Sequence, residues 1–247
     1  MLMDERRRMA DLLDGLGAEQ LNHPSLCGGW TVRDVAAHLT TYLRFGQAKI
    51  YLAIVATGAD FDRWNNLLTR RAARASTPRI VAALRAGAGS RTTIPRSGYD
   101  PVLTDIVLHD LDVRLPLGIP RALDEERLRV AFRHLADAPA PGFAVGARLH
   151  GLRLVADDTG WVHGGGPLVH GSAETLLLAM GGRPSALDGL AGDGVPVLRE
   201  RLRSRAPRGP VERLGGPLRV LLHPPPRDRR SRSATVPPPP GDMSGPV

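Results

Sequence analysis

From Asp100 to about Pro116 the chain reads as one helix. Val102, Ile106, Val107, Leu108, Leu111 and Val113 leave little room in it for a charged face. Asp100 followed by Pro101 suits a helix start, with Asp as N-cap and Pro in the first turn, and Pro116 and Gly118 suit its end. Asp105 and His109 fall in the middle, four residues apart and therefore on one face. An ionisable pair in such apolar surroundings is expensive unless it is paired or binds something. A carboxylate and an imidazole on adjacent turns can share a divalent metal. The same spacing also suits a helix-face hydrogen bond, so the choice depends on a third ligand elsewhere in the chain.

A second helix offers one. Thr31 suits an N-cap, with Asp34 as its capping-box partner. Val32, Val35, Ala36, Leu39 and Leu43 then give an apolar face, in a helix expected to run to about Ala56. His38 lies beside Val35 and Leu39 and points to the interior or its edge, a position that fits a satisfied core histidine as well as a ligand. Asp34, one turn before it, has the cap as its first role and is also a candidate outer partner of the site. Further helices are expected over 3–16, with Met9, Leu12, Leu13 and Leu16 as its stripe, and over 60–86 as one or two pieces. In the latter, Phe61, Trp64, Leu67 and Leu68 share a face and Pro78 opens the second piece. Residues 124–136 give a fifth helix with Leu128, Phe132 and Leu135 inward. The segment Gly87 to Gly98 reads as a loop.

Past Pro139–Gly142 the periodicity changes. Ala147 to Ala156 alternates polar and apolar residues as a half-buried strand does, Asp157–Gly160 is a turn, and Trp161–His163 and Leu168–His170 suit two more strands. Ser172 caps a helix over 173–180 that stops at Gly181-Gly182, and a last helix spans 193–203. The expected fold class is α+β: a helical domain over 1–138, a small α+β domain over 143–205, and a Pro/Arg-rich tail over 206–247 that cannot build a core and is expected to be disordered.

Charge bears on partners. The formal net charge is +8, but residues 204–247 carry eight Arg against Glu212, Asp228 and Asp242, which is +5, leaving +3 for the rest. The basicity is mostly a property of the tail and argues against nucleic acid as the partner of the folded part. Cys27 is the only cysteine, which excludes an intrachain disulfide or an all-cysteine zinc site and suits a reducing cytoplasm. The first residues have no apolar run behind their charges, so no signal peptide is expected, and no stretch approaches a membrane span. Neither a serine-centred hydrolase signature nor a phosphate-binding glycine loop is present, and nothing in the sequence decides between monomer and dimer.

Two stretches resemble a known family. LCGGWTVRDVAAHL (Leu26–Leu39) is similar to the N-terminal signature of mycothiol-dependent maleylpyruvate isomerase-like proteins, within the DinB-like metalloprotein superfamily. DIVLHDLDVRLPLG (Asp105–Gly118) resembles their second signature, and Gly151–Leu154, Gly182-Arg183 and Gly192–Gly194 resemble the small, sterol-carrier-protein-like domain that many members carry. The resemblance covers roughly 5–203. It implies a DinB-like four-helix bundle holding a divalent metal, zinc before nickel or iron, on His38, Asp105 and His109. The isomerase has Glu where Asp105 stands, so the carboxylate here is one methylene shorter. The resemblance also implies mycothiol as thiol cosubstrate and a small, unsaturated or carboxylated substrate. A bound thiolate adding to a conjugated double bond makes it single, rotation follows, and expulsion of the thiolate restores the bond. The expected function is therefore a metal-dependent, mycothiol-using isomerase or thiol transferase, with a non-catalytic metal- or thiol-binding protein as the alternative.

Three residues near these motifs have open roles. Asp112, one turn past His109, can accept an outer hydrogen bond from the site or form a salt bridge to Arg114 or Arg33. Arg183 can meet a cofactor or substrate carboxylate with a bidentate fork, or cap the helix before it. Cys27 suits a small buried residue better than a nucleophile.

Overall fold

The computed structural model describes residues 1–44, 61–93, 98–121, 123–137 and 146–204. They belong to one compact unit, Met1–Val211, and a second unit, Glu212–Val247, lies wholly outside them. The expected domain boundary at 138–143, the tail over 206–247 and the continuation of the second long helix to Ala56 also fall outside the described residues.

The helices are α1 (Leu2–Asp14), α2 (Ala18–Asn22), α3 (Val32–Arg44), α4 (Phe61–Ala72), α5 (Thr77–Ala86), α6 (Asp100–Arg114) and α7 (Glu125–Asp137). Helix α1 packs on α5, α5 on α3, α3 on α6, and α6 back on α1, which closes a four-helix bundle. Helix α4 lies against α3, and α7 against α6. Met9, Ala10 and Leu13 of α1, Ile80, Val81 and Leu84 of α5 and Val32, Val35 and Ala36 of α3 are all buried in one core. Two expected cap signals hold: Thr31 N donates to Asp34 Oδ2 at 3.0 Å while Asp34 N donates to Thr31 Oγ1 at 3.2 Å, and Thr175 N donates to Ser172 Oγ at 3.3 Å. Asp100 is already inside α6 and its carboxylate takes Arg133 at 2.7 Å instead of capping the helix.

Helix α6 has no solvent face along most of its length, because α1, α3, α7 and a later helix all touch it. Leu103, Ile106, Val107, Leu108, Leu111 and Val113 are buried, and so are His109, Asp110 and Asp112. Charges so placed must be paired. Asp110 holds Arg114 at 3.0 Å and Arg121 at 2.7 Å, Arg121 reaches Glu5 at 2.6 Å, and Glu5 also takes Arg127 at 2.5 Å. This network ties α1 and α7 to α6 through Asp110 and Glu5.

After α7 come α8 (Gly146–Leu149), β1 (Arg153–Ala156), β2 (Trp161–Gly164), β3 (Leu168–Gly171), α9 (Ala173–Met180), a 3₁₀ segment Pro184–Gly189 and α10 (Val195–Arg203). The sheet order is β2-β1-β3, antiparallel between β1 and β2 with Leu154 opposite His163, and parallel between β1 and β3 with Leu154 opposite Val169. The strand expected from Ala147 is a helical turn followed by a shorter strand. Gly151, at φ +70°, breaks the run between them, and Leu149 and Leu152 are buried on either side. The sheet's buried face, Leu154, Ala156 and Val169, continues into Trp161, whose ring stacks on Phe132 of α7 at 4.2 Å between centroids.

Gly192 carries a specific burden. Its φ is +108°, and a Cβ there would overlap the Leu168 carbonyl oxygen, so the chain passes β3 only because no side chain intervenes. The next residue, Asp193, uses that approach to accept from Leu168 N at 2.6 Å. Gly192→Ala is expected to cost about 1–3 kcal/mol, and a thermal midpoint unchanged from wild type would contradict this account.

Candidate metal centre

His38 lies mid-way along α3, with its backbone in a capped, apolar helix and its side chain 1% exposed. Asp105 and His109 lie one turn apart on α6, as the spacing requires. The bundle brings the three together. His38 Nε2 is 3.6 Å from Asp105 Oδ2, His109 Nε2 is 3.5 Å from Asp105 Oδ1, and the two imidazole centroids are 4.8 Å apart. The potential ligand atoms of all three residues lie within 4.8 Å of one another. Asp105 is the open member, its side chain 20% exposed against 1% for His38.

Each imidazole offers Nε2 to this point because Nδ1 is engaged elsewhere. His109 Nδ1 is 2.8 Å from Asp112 Oδ2, so the neutral ring carries its proton on Nδ1 and leaves the Nε2 lone pair towards Asp105. His38 Nδ1 is 3.4 Å from Thr69 Oγ1 of α4. Burial lowers the His38 pKa, partly opposed by the nearby Asp105 carboxylate, which favours the neutral, ligand-competent imidazole. Burial pushes Asp105 up, but its interactions with His109 and His38 outweigh it and the net direction is down.

Asp112 is fully buried and does not pair with either arginine expected for it. Arg114 goes to Asp110, and Arg33 donates to the Ala75 carbonyl at 2.6 Å. Its partner is Arg183, which forks onto it through Nε at 3.0 Å and Nη2 at 2.5 Å, while Nη1 donates to the Gly181 carbonyl at 2.5 Å. Burial alone would raise the Asp112 carboxyl. Arg183 and the His109 hydrogen bond reverse this and hold it at about 2. Burial would lower Arg183, and Asp112 raises it. The guanidinium thus faces the protein's own carboxylate, not a position open to a cofactor or substrate. Arg183 reaches α6 because α9, which packs on α6, ends at Gly181-Gly182 immediately before it. Asp34 hydrogen-bonds with Thr31 and serves the α3 cap.

A second group, Cys27, His109 and Asp112, also clusters within ligand range. Its chemistry is poorer for a cation: His109 Nδ1 and Asp112 are already joined, and the Arg183 guanidinium lies on the same carboxylate. The set His38, Asp105 and His109 has two nitrogen donors and a carboxylate with no cation on it among the described residues, a donor set suited to zinc or a similar divalent ion.

Two contributors were not read from the sequence. Thr69 and Asn66 sit three residues apart on α4, and Asn66 Oδ1 accepts from the Trp30 indole at 2.6 Å. Their spacing on one helix face is visible in the sequence; their target, more than thirty residues away, is not.

Residues 2–99 match the family model described as the mycothiol maleylpyruvate isomerase N-terminal domain, so the resemblance read from the first motif holds over that stretch. The second motif lies beyond it. Two solved structures are similar to the chain. One is described as the mycothiol-dependent maleylpyruvate isomerase, at 16% identity with a TM-score of 0.49, and the other as a histidine-to-alanine mutant of that enzyme, at 15% and 0.48. Each alignment covers 85% of this chain and 97% of the other. No curated protein matches the chain. No helix among the described residues is long and apolar enough to cross a membrane.

Proposed function

We propose that this chain, whose residues 2–99 match the model of the mycothiol maleylpyruvate isomerase N-terminal domain, is a metal-dependent, mycothiol-using isomerase or thiol transferase acting on a small substrate. The observation that carries this reading is the convergence of two Nε2 atoms on the two oxygens of one carboxylate, at 3.5 and 3.6 Å. That is too long for good hydrogen bonds. It is close to the roughly 3.4 Å that separates neighbouring ligands in a tetrahedral zinc site with bonds of about 2.0–2.2 Å. On this spacing the shorter Asp105 still reaches a shared ion directly.

His38, Asp105 and His109 would hold the ion, zinc first and nickel or iron as alternatives. A divalent ion there supplies Lewis acidity that keeps a bound thiol as thiolate at neutral pH. The chain's own residues do the rest. Asp112 holds the proton on His109 Nδ1 and fixes that ring, Arg183 keeps Asp112 ionised, and the bundle buries both imidazoles while Asp105 stays partly exposed. Three protein ligands leave a coordination position for the thiol, with mycothiol as the cosubstrate and a soluble, cytoplasmic setting as the context.

The test is a thermal melt of zinc-loaded and metal-free protein with and without mycothiol. A ligand that binds only the folded state stabilises it by about 2.7 kcal/mol at a hundredfold excess over its Kd. Mycothiol is expected to raise the midpoint of the zinc form and not of the metal-free form, and turnover of an unsaturated carboxylate is expected only when both are present. Equal shifts in the two forms would remove the metal from the reading. Binding of both without turnover on any such substrate would leave a metal- and thiol-binding protein.

A further inference from the structure

We propose that Trp30 is a positioning residue of this metal centre: its indole face sets the planes of His38 and His109, and Asn66 locks it in place. The inference rests on the metal reading above and extends it to residues that touch no ion.

An imidazole donates its lone pair in the ring plane, so a ligand histidine must have its plane fixed as well as its position. The torsion that turns the ring is broad and is settled by packing. Trp30, 8% exposed, lies beside both rings: its centroid is 5.0 Å from that of His38, with the planes tilted by 47°, and 6.1 Å from that of His109, with the planes 25° apart. The two histidines depend on it unequally. His109 also has a strong Nδ1 bond to Asp112, at 2.8 Å. The Nδ1 contact of His38 with Thr69 is 3.4 Å, at the long end for a hydrogen bond. Of the two rings, that of His38 is the nearer to Trp30, by centroid distances of 5.0 against 6.1 Å.

The indole is itself held at both ends. Its backbone closes a tight loop: Ser25 N and Oγ donate to the Trp30 carbonyl at 2.9 and 2.8 Å, and Trp30 N donates to the Cys27 carbonyl at 3.0 Å. Gly29, at φ +79°, makes the turn that presents the side chain. Leu26 N donates to the Asp112 carbonyl at 3.1 Å, so the loop is anchored on the ligand helix itself. At the other end the indole N–H, a donor that needs an acceptor when buried, finds Asn66 Oδ1 at 2.6 Å. Asn66 and Thr69 share one face of α4, which makes that helix a common backing for the loop tryptophan and for His38.

The experiment titrates the full-length metal-free chain with cobalt(II), reading the visible ligand-field bands and the affinity against a competing chelator, for wild type, Trp30→Phe, Trp30→Ala and Asn66→Leu. Loss of an outer partner typically lowers metal affinity about 10–100-fold, and that is the range expected for Trp30→Ala, with displaced cobalt bands. Trp30→Phe keeps an aromatic face and is expected to retain wild-type bands and affinity. Asn66→Leu changes an exposed residue, leaves the core intact, and is expected to displace the bands even if Trp30→Ala does not fold. Wild-type bands and affinity in Asn66→Leu and in folded Trp30→Ala would overturn the inference while leaving the metal centre standing. A wild-type chain that takes up no cobalt would remove the metal centre and this inference together.

Discussion

Replacing His38 and His109 together by alanine is expected to leave the purified protein without metal while its helical circular dichroism stays at the wild-type level. The loss should exceed the roughly 100-fold that marks the upper range for an outer partner, because two of the three protein ligands disappear. The fold should persist because the packing of the bundle rests mainly on its apolar residues. The α3 contacts rest on Val32, Val35 and Ala36, those of α6 on Ile106, Val107 and Leu108, and Asp112 keeps its Arg183 fork when His109 is removed. Asp105→Ala is expected to bind more weakly than wild type but better than the double variant, since two nitrogen donors remain. Elemental analysis and a competition titration would read all three. Stoichiometric zinc in the double variant would sink the assignment of the ligands.

The helical part and the three ligand candidates were legible because their signals are local. Apolar spacings of three and four mark α1, α3 and α7, a nearly continuous apolar run behind Asp100-Pro101 marks α6, and the Thr31–Asp34 box fixes where α3 starts and hence which way His38 faces. Asp105 and His109 are related by one helical turn, so no tertiary knowledge is needed to place them together. What links His38 to that pair is the α3–α6 packing, which periodicity does not encode; the resemblance of the two motifs supplied it. The strand run from Ala147 misled because alternation over a few residues also fits a helical turn followed by a strand, and only the Gly151 turn separates them. Arg183 was the hardest to read. It sits seventy-one residues from Asp112, and nothing local distinguishes an arginine that meets a ligand from one that neutralises a buried carboxylate. The nearer arginines, Arg33 and Arg114, were the natural partners by distance along the chain, yet each faces another acceptor.

That pairing gives the second large expected effect. Asp112→Ala removes the only carboxylate that meets the Arg183 guanidinium among the described residues and leaves the cation buried. Breaking a buried pair from one side typically costs about 3–5 kcal/mol, and the His109 ring loses its Nδ1 acceptor as well, so metal affinity should fall about 10–100-fold. Arg183→Met is expected to destabilise less, since Asp112 keeps the His109 hydrogen bond. The sign with pH follows from Asp112, whose folded pKa of about 2 lies below its ordinary value. The stabilisation it provides is complete above that ordinary value and is lost as the pH falls towards about 2. The decisive variant is the double change Asp112→Leu with Arg183→Met, which replaces the ion pair by apolar side chains of similar bulk. Such replacements are often neutral or stabilising, so urea unfolding should return close to the wild-type midpoint. Metal affinity should stay low, because no acceptor then fixes the His109 ring. Recovery of both properties in the double variant would mean that Asp112 serves the fold alone and that His109 is oriented by packing.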